Sequence, residues 1–139
     1  MAGIRWVQIL LGGLLAEVVI LVVLLPIAFL TGYDPAAGPG SSPALVWLVP
    51  PACLVATFLV GWWTARRVGS RFLLHGTLVG VAAALLYAAL TLNQALPLAY
   101  IVSHFLKVIG GAGGGLVAGR ASGAIGRPVA GAGERARMG

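Results

Sequence analysis

Two residues of this chain carry charge where charge is costly. Glu17 stands in the middle of the apolar run from Trp6 to Leu30, and Lys107 in the middle of the run from Leu98 to Ala118. Glu17 lies 12 residues beyond Arg5 and Lys107 lies 13 residues before Arg120, which places them about 18 and 20 Å deep on helices rising 1.5 Å per residue. An unpaired charge at the centre of a membrane helix costs roughly 2.5–3.5 kcal/mol, and pairing removes most of that penalty. The first and fourth runs are therefore expected to be neighbours, with Glu17 touching Lys107. Such a pair can fix helix register as a buried ion pair. It can also act as a titratable site whose carboxylate changes protonation as protons or a substrate pass.

More polar residues gather around Lys107. Tyr100, His104, Lys107 and Gly111 follow the spacing i, i+4, i+7, i+11 of a single helical face, with Ser103 at its edge. Lipid penalises that face, so it is expected to point inward and to build a cluster of Glu17, Lys107 and His104, with Tyr100 and Ser103 beyond it. Enzyme chemistry is not spaced for. Of the three acids in the chain, Asp34 and Glu134 lie outside the apolar runs on opposite sides, and no nucleophile–base or metal-ligand spacing occurs. His75 is separated from His104 in depth by roughly 15–20 Å, so the two cannot share a metal. No enzyme, metal or cofactor is expected. The single cysteine, Cys53, excludes an intramolecular disulfide and reads as a small apolar helix residue. The run Gly110-Gly111-Ala112-Gly113-Gly114-Gly115 lacks the Lys-Ser/Thr of a phosphate-binding loop and follows no strand. It reads as a packing surface, with a locally unwound ligand or ion site as the alternative.

The elements that must position these residues follow from composition. Of 139 residues, 60% are hydrophobic and 9% charged, against about 25% charged in soluble domains. The apolar residues fall into four runs at about 6–30, 44–64, 72–92 and 98–118, each 21 to 25 residues long. About 20 helical residues cross a hydrocarbon core of roughly 30 Å. The expected fold is all-α, an integral membrane four-helix bundle over residues 1–119, followed by a mobile basic tail over 120–139. The first run is much longer than the roughly 7–15 residues of a signal-peptide core and reads as a retained span.

Eight of the nine basic residues orient the chain: Arg5, Arg66, Arg67, Arg71, Arg120, Arg127, Arg135 and Arg137 all fall on one side. The positive-inside rule then puts both termini in the cytoplasm. Trp6, Trp62, Trp63 and Phe72 mark that boundary, and Tyr33, Trp47 and Tyr100 the opposite one. The expected location is a cell membrane of bacterial cytoplasmic type. A net charge of +6 does not indicate nucleic acid, because the basic residues cap apolar runs instead of covering a solvated face. Arg66, Arg67, Arg71 and the tail point to anionic lipid headgroups as partners, with a second copy of the chain or another membrane protein as further partners.

Lipid gives apolar helices no hydrophobic reason to associate, so small residues that allow close backbone approach mark the contacts. Gly12 with Ala16, Gly76 and Gly80 with Ala84 and Ala88, and Gly110/Gly114 and Gly111/Gly115 repeat at four-residue spacing. Gly12, Gly76, Gly80, Gly111 and Gly115 are the expected packing residues, and most of these positions lie in the cytoplasmic half. Pro26, Pro50 and Pro51 fall in the other half, where a proline removes a helical hydrogen bond. That half is expected either to splay into a shallow vestibule or to be filled by neighbouring side chains.

Leu15-Ala16-Glu17-Val18, a glutamate at the centre of the first of four short helices, resembles the small multidrug resistance transporters over about one helix of four. In that family the glutamate exchanges protons for cationic substrates, which implies proton coupling at Glu17; Lys107 and the strong arginine bias depart from the family pattern. Gly61-Trp62-Trp63-Thr64-Ala65-Arg66-Arg67 with Leu73-Leu74-His75-Gly76 resembles small four-helix bacterial membrane proteins and implies no activity. The expected function is that of a non-enzymatic accessory, structural or assembly component. The alternative is a small proton-coupled transporter or channel that uses Glu17, Lys107 and His104.

Overall fold

The computed structural model describes residues 4–38 and 40–123. Of the tail expected over 120–139, the first two residues belong to the last helix, and the part beyond Gly123, with Arg127, Glu134, Arg135 and Arg137, lies outside the described residues. Four helices follow one another: α1 (Trp6–Leu30), α2 (Pro43–Val68), α3 (Phe72–Leu90) and α4 (Leu98–Ala121), with a single 3-10 turn at Pro35–Ala37 between the first two. No strand occurs among the described residues. All four helices are long and apolar enough to cross a membrane; even α3, with 19 residues, reaches about 28 Å. The chain is thus an all-helical protein of multi-pass membrane type.

Local chemistry sets the ends. Pro43 opens α2, where its fixed φ suits the first turn and its missing N–H would have no partner anyway. Gly69, at φ +71°, closes α2 in the left-handed conformation and donates its N–H to the Ala65 carbonyl. Thr31 ends α1 with its hydroxyl donating to the Ile27 carbonyl at 2.9 Å, and Ser42 Oγ donates to Thr31 Oγ1 at 3.3 Å. That contact joins the end of α1 to the start of α2. α2 runs four residues past 64 and α4 three past 118, while α3 stops two short of 92.

The helices form a diamond. α1 packs on α2 and α3, α4 packs on α2 and α3, and α2 also meets α3. α1 and α4 stand at opposite corners, with no pair of their α-carbons within 8 Å among the described residues. The first and fourth helices are therefore not neighbours, contrary to the sequence expectation.

Glycines explain why α4 can wedge between two partners. One residue on a helix is a turn of about 100°, so two stripes offset by one residue face two directions. A Cβ on Gly110 or Gly114 would strike α2, at Leu54 and Thr57 or at Phe58 and Trp62. On Gly111 or Gly115 it would strike α3 instead, at Gly76 and Gly80 or at Phe72 and Leu73. Gly76 and Gly80 return the contact, against Gly111 and Gly115 and against Lys107 and Val108, and Gly61 of α2 also meets Gly111. α1 approaches in the same way: Gly12 faces Thr64 and Val79, and Gly13 faces Ala82 and Ala83. The glycine faces are thus turned toward one another within one chain.

The core is a thin column. At the arginine-bearing end Ala65, Phe72 and Ala118 pack together; above them come Ala16, Val60, Val79 and Ala83; toward the loop end come Ile20, Val49, Cys53, Ala56 and Tyr100. The narrowest layer, of alanine and valine alone, lies in the middle. The half with glycines brings backbone against backbone, and the half with Pro26, Pro50 and Pro51 holds Tyr100 and a cavity beside it.

Candidate functional site

Glu17 Oε1 and Lys107 Nζ are 2.6 Å apart. Lys107 is 1% exposed and Glu17 12%, so the ammonium is enclosed while the carboxylate keeps one edge open. Because α1 and α4 occupy opposite corners, the pair is made by side chains reaching across the bundle and not by facing backbones. The long unbranched lysine stem makes this reach from the middle of α4. A charge-assisted bond this short, between groups largely withdrawn from water, ties together two helices whose α-carbons nowhere come within 8 Å of each other.

The pair forms one wall of a half-open cavity of about 420 Å³ in the loop half of the bundle. Tyr100 and Ser103 also line it, with Cys53 and Val49 from α2 and Ile20 and Leu24 from α1. Ser103 is buried and its hydroxyl donates to the Tyr100 carbonyl at 2.6 Å. The inward face of α4 therefore reads Tyr100, Ser103, Lys107, Gly110, Gly114, a spacing of three and four. Ser103 belongs to the wall itself and not to its edge.

His104 does not join the pair. One residue on from Ser103 is a step of about 100° around the helix, and this carries the imidazole out of the cavity wall onto the ring of Tyr87, with 5.3 Å between centroids. Its Nδ1 is buried without a hydrogen-bond partner among the described residues. His75 lies elsewhere. It is fully buried at the arginine-bearing end, where Nδ1 meets the Arg71 carbonyl at 3.1 Å and Nε2 accepts the backbone N–H of Arg5 at 3.5 Å. The neutral tautomer with hydrogen on Nδ1 satisfies both contacts, and His75 thereby ties the start of α1 to the start of α3.

Tyr87 is the site residue that sequence reasoning passed over. The Lys107 ammonium lies 4.5 Å from its ring centroid, and the ring also stacks with Tyr100 at 6.5 Å. A cation over an aromatic face inside a dry environment gains up to about 2 kcal/mol, so Tyr87 shares with Glu17 the task of holding the ammonium. Spacing contained a signal for it. Tyr87 is seven residues beyond Gly80, two turns along the face of α3 that meets α4 at Lys107.

At the arginine-bearing end the guanidinium groups fold back one turn onto tryptophans. Arg66 lies 5.0 Å from the Trp62 ring and Arg67 4.0 Å from the Trp63 ring. No group of three or more metal-ligating side chains comes together among the described residues.

No protein-family model matches this chain, and neither does any curated protein or solved structure, so its functional reading rests on the geometry of the Glu17–Lys107 pair and the cavity beside it.

Proposed function

We propose that the chain is a non-enzymatic accessory or assembly component of a bacterial-type cytoplasmic membrane, inserted with both termini in the cytoplasm. The observation that carries this reading is the Glu17–Lys107 bond across the diagonal of the bundle. A pair held at 2.6 Å, with the ammonium also covered by Tyr87, is suited to locking four short helices into one arrangement. The glycine contacts on the arginine-bearing side of the pair hold α4 to α2 and α3 with backbone against backbone. The orientation is supported by Arg5, Arg66, Arg67, Arg71 and Arg120, which share one end. Purification from native membrane under mild detergent tests the reading. It expects the chain to travel with a larger membrane complex in fixed proportion. Recovery as a lone protein would count against it.

One observation favours a second reading. The cavity of about 420 Å³ reaches the pair from the loop end, as the binding pocket of a small proton-coupled transporter or channel would, with Glu17 as the carboxylate that exchanges its partner. Proteoliposome flux separates the two. A proton- or substrate-coupled flux that Glu17→Gln abolishes establishes transport; equal flux in wild type and variant leaves the pair as a lock.

A further inference from the structure

The inner end of the loop-half cavity carries two charges, of which one is within reach. Lys107 is 1% exposed, its ammonium taken up by Glu17 Oε1 at 2.6 Å and by the Tyr87 ring at 4.5 Å. Glu17 lines the cavity with 12% of its side chain exposed, and only its Oε1 is engaged by Lys107. An ionised carboxylate has about four acceptor sites on its two oxygens, so the open edge at Oε2 still accepts.

From the carboxylate outward the cavity is largely apolar. Glu17, Ile20, Leu24 and Ala28 line it along one stripe of α1 for about 16 Å. Val49 of α2 packs with Ile20 in its wall, and Leu21 and Leu25 form an exposed rim. Its volume of about 420 Å³ falls within the roughly 300–1,000 Å³ of small-molecule sites. A slot open along its side and ending at a carboxylate has the form of a single-chain amphiphile.

Charge selects the head of that amphiphile. The Glu17–Lys107 pair is neutral as it stands. A cationic head would set a second ammonium on the one carboxylate, and an anionic head would meet Glu17 with the ammonium closed behind it. Either leaves an unbalanced charge in a site withdrawn from water. A neutral hydroxyl donates to Oε2 and adds no charge, and a hydrogen bond to an ionised acceptor is about twice as strong as one between neutral groups.

We propose that this cavity binds one uncharged single-chain lipid alcohol, its hydroxyl donating to Glu17 Oε2 and its chain lying along Ile20, Leu24 and Ala28. Binding leaves the Glu17–Lys107 bond closed and therefore depends neither on flux nor on a partner complex.

The test uses the full chain in phosphatidylcholine nanodiscs with a photoreactive dodecanol, labelled residues being mapped by mass spectrometry. Dodecanol, its methyl ether, dodecylamine and dodecanoate compete at equal mole fraction. Labelling is expected in the loop halves of α1 and α2. Dodecanol should suppress it about tenfold better than the ether, the worth of one hydrogen bond to a charged group, and better than either ion. Val49→Phe, which narrows the slot without touching the pair, should lower labelling severalfold. In Glu17→Leu combined with Lys107→Met the preference for alcohol over ether should vanish. Equal competition by alcohol and ether in the wild type would show that any chain fills the slot and overturn the proposal, and so would stronger competition by dodecylamine or dodecanoate. Circular dichroism confirms that each variant is helical, and should the double variant misfold, the wild-type order of competitors and the Val49→Phe result decide.

Discussion

Lys107 Nζ meets Glu17 Oε1 at 2.6 Å, although the two helices that carry them bring no α-carbons within 8 Å of each other. The bond therefore spans the long diagonal of the bundle, and its closure fixes α2 and α3 on either side. Each helix that forms it has two backbone neighbours, approached through glycine, and a third partner reached by side chains alone.

The aromatic cover on Lys107 can be separated from the ion pair itself. Tyr87→Phe keeps the ring 4.5 Å from the ammonium and is expected to leave the melting temperature unchanged. Tyr87→Leu removes the ring and should cost about 2 kcal/mol, measured by thermal unfolding in detergent. Equal stability of the two variants would mean that the ring contributes nothing to holding the charge.

Glycines in one short run should respond oppositely to a methyl group. At Gly111 a Cβ would collide with the backbone carbonyl of Gly76, so Gly111→Ala should destabilise by about 1–3 kcal/mol or more. At Gly113 it would lie 3.4 Å from the edge of the Phe58 ring, an ordinary contact, and alanine removes glycine's conformational penalty of up to about 1 kcal/mol. Gly113→Ala is expected to match or exceed wild type in the same melting experiment.

His104 is expected to be dispensable to the pair. Its Nδ1 is buried without a partner among the described residues and its ring packs on Tyr87. His104→Leu should leave stability unchanged or raise it by about 1 kcal/mol. Any Glu17-dependent flux in proteoliposomes should survive the substitution, and loss of that flux would restore His104 to the site.

Much of this was legible in the sequence, and the misses share a cause. Spans follow from apolar length, and α1 begins and ends where its run does. α2 continues to Val68 because Arg66 and Arg67 suit a helix C-terminus and Gly69 supplies the left-handed turn that stops it. α3 ends at Leu90, and Thr91 turns back with its N–H on the Tyr87 and Ala88 carbonyls. Depth arithmetic put Glu17 and Lys107 at one level, but depth is a single coordinate. It says nothing of lateral order and does not distinguish adjacent helices from opposite ones, which two side chains of sufficient reach can join. The same limit applies around α4. A periodicity of 3.6 leaves Ser103 and His104 both compatible with an inward face, and only the positions of α2 and α3 choose between them. The doubled glycine stripe was visible as Gly110/Gly114 and Gly111/Gly115, while its reason, two neighbours about 100° apart, required the fold.

A double-mutant cycle on the pair tests the central claim most directly, with Glu17→Gln, Lys107→Met and their combination unfolded thermally in one detergent. Removing one partner of a buried pair costs about 3–5 kcal/mol by stranding the other charge. Each single variant should therefore melt well below wild type, and the double variant should recover much of the loss. Additive losses, or single variants as stable as wild type, would show that Glu17 and Lys107 do not hold the bundle together.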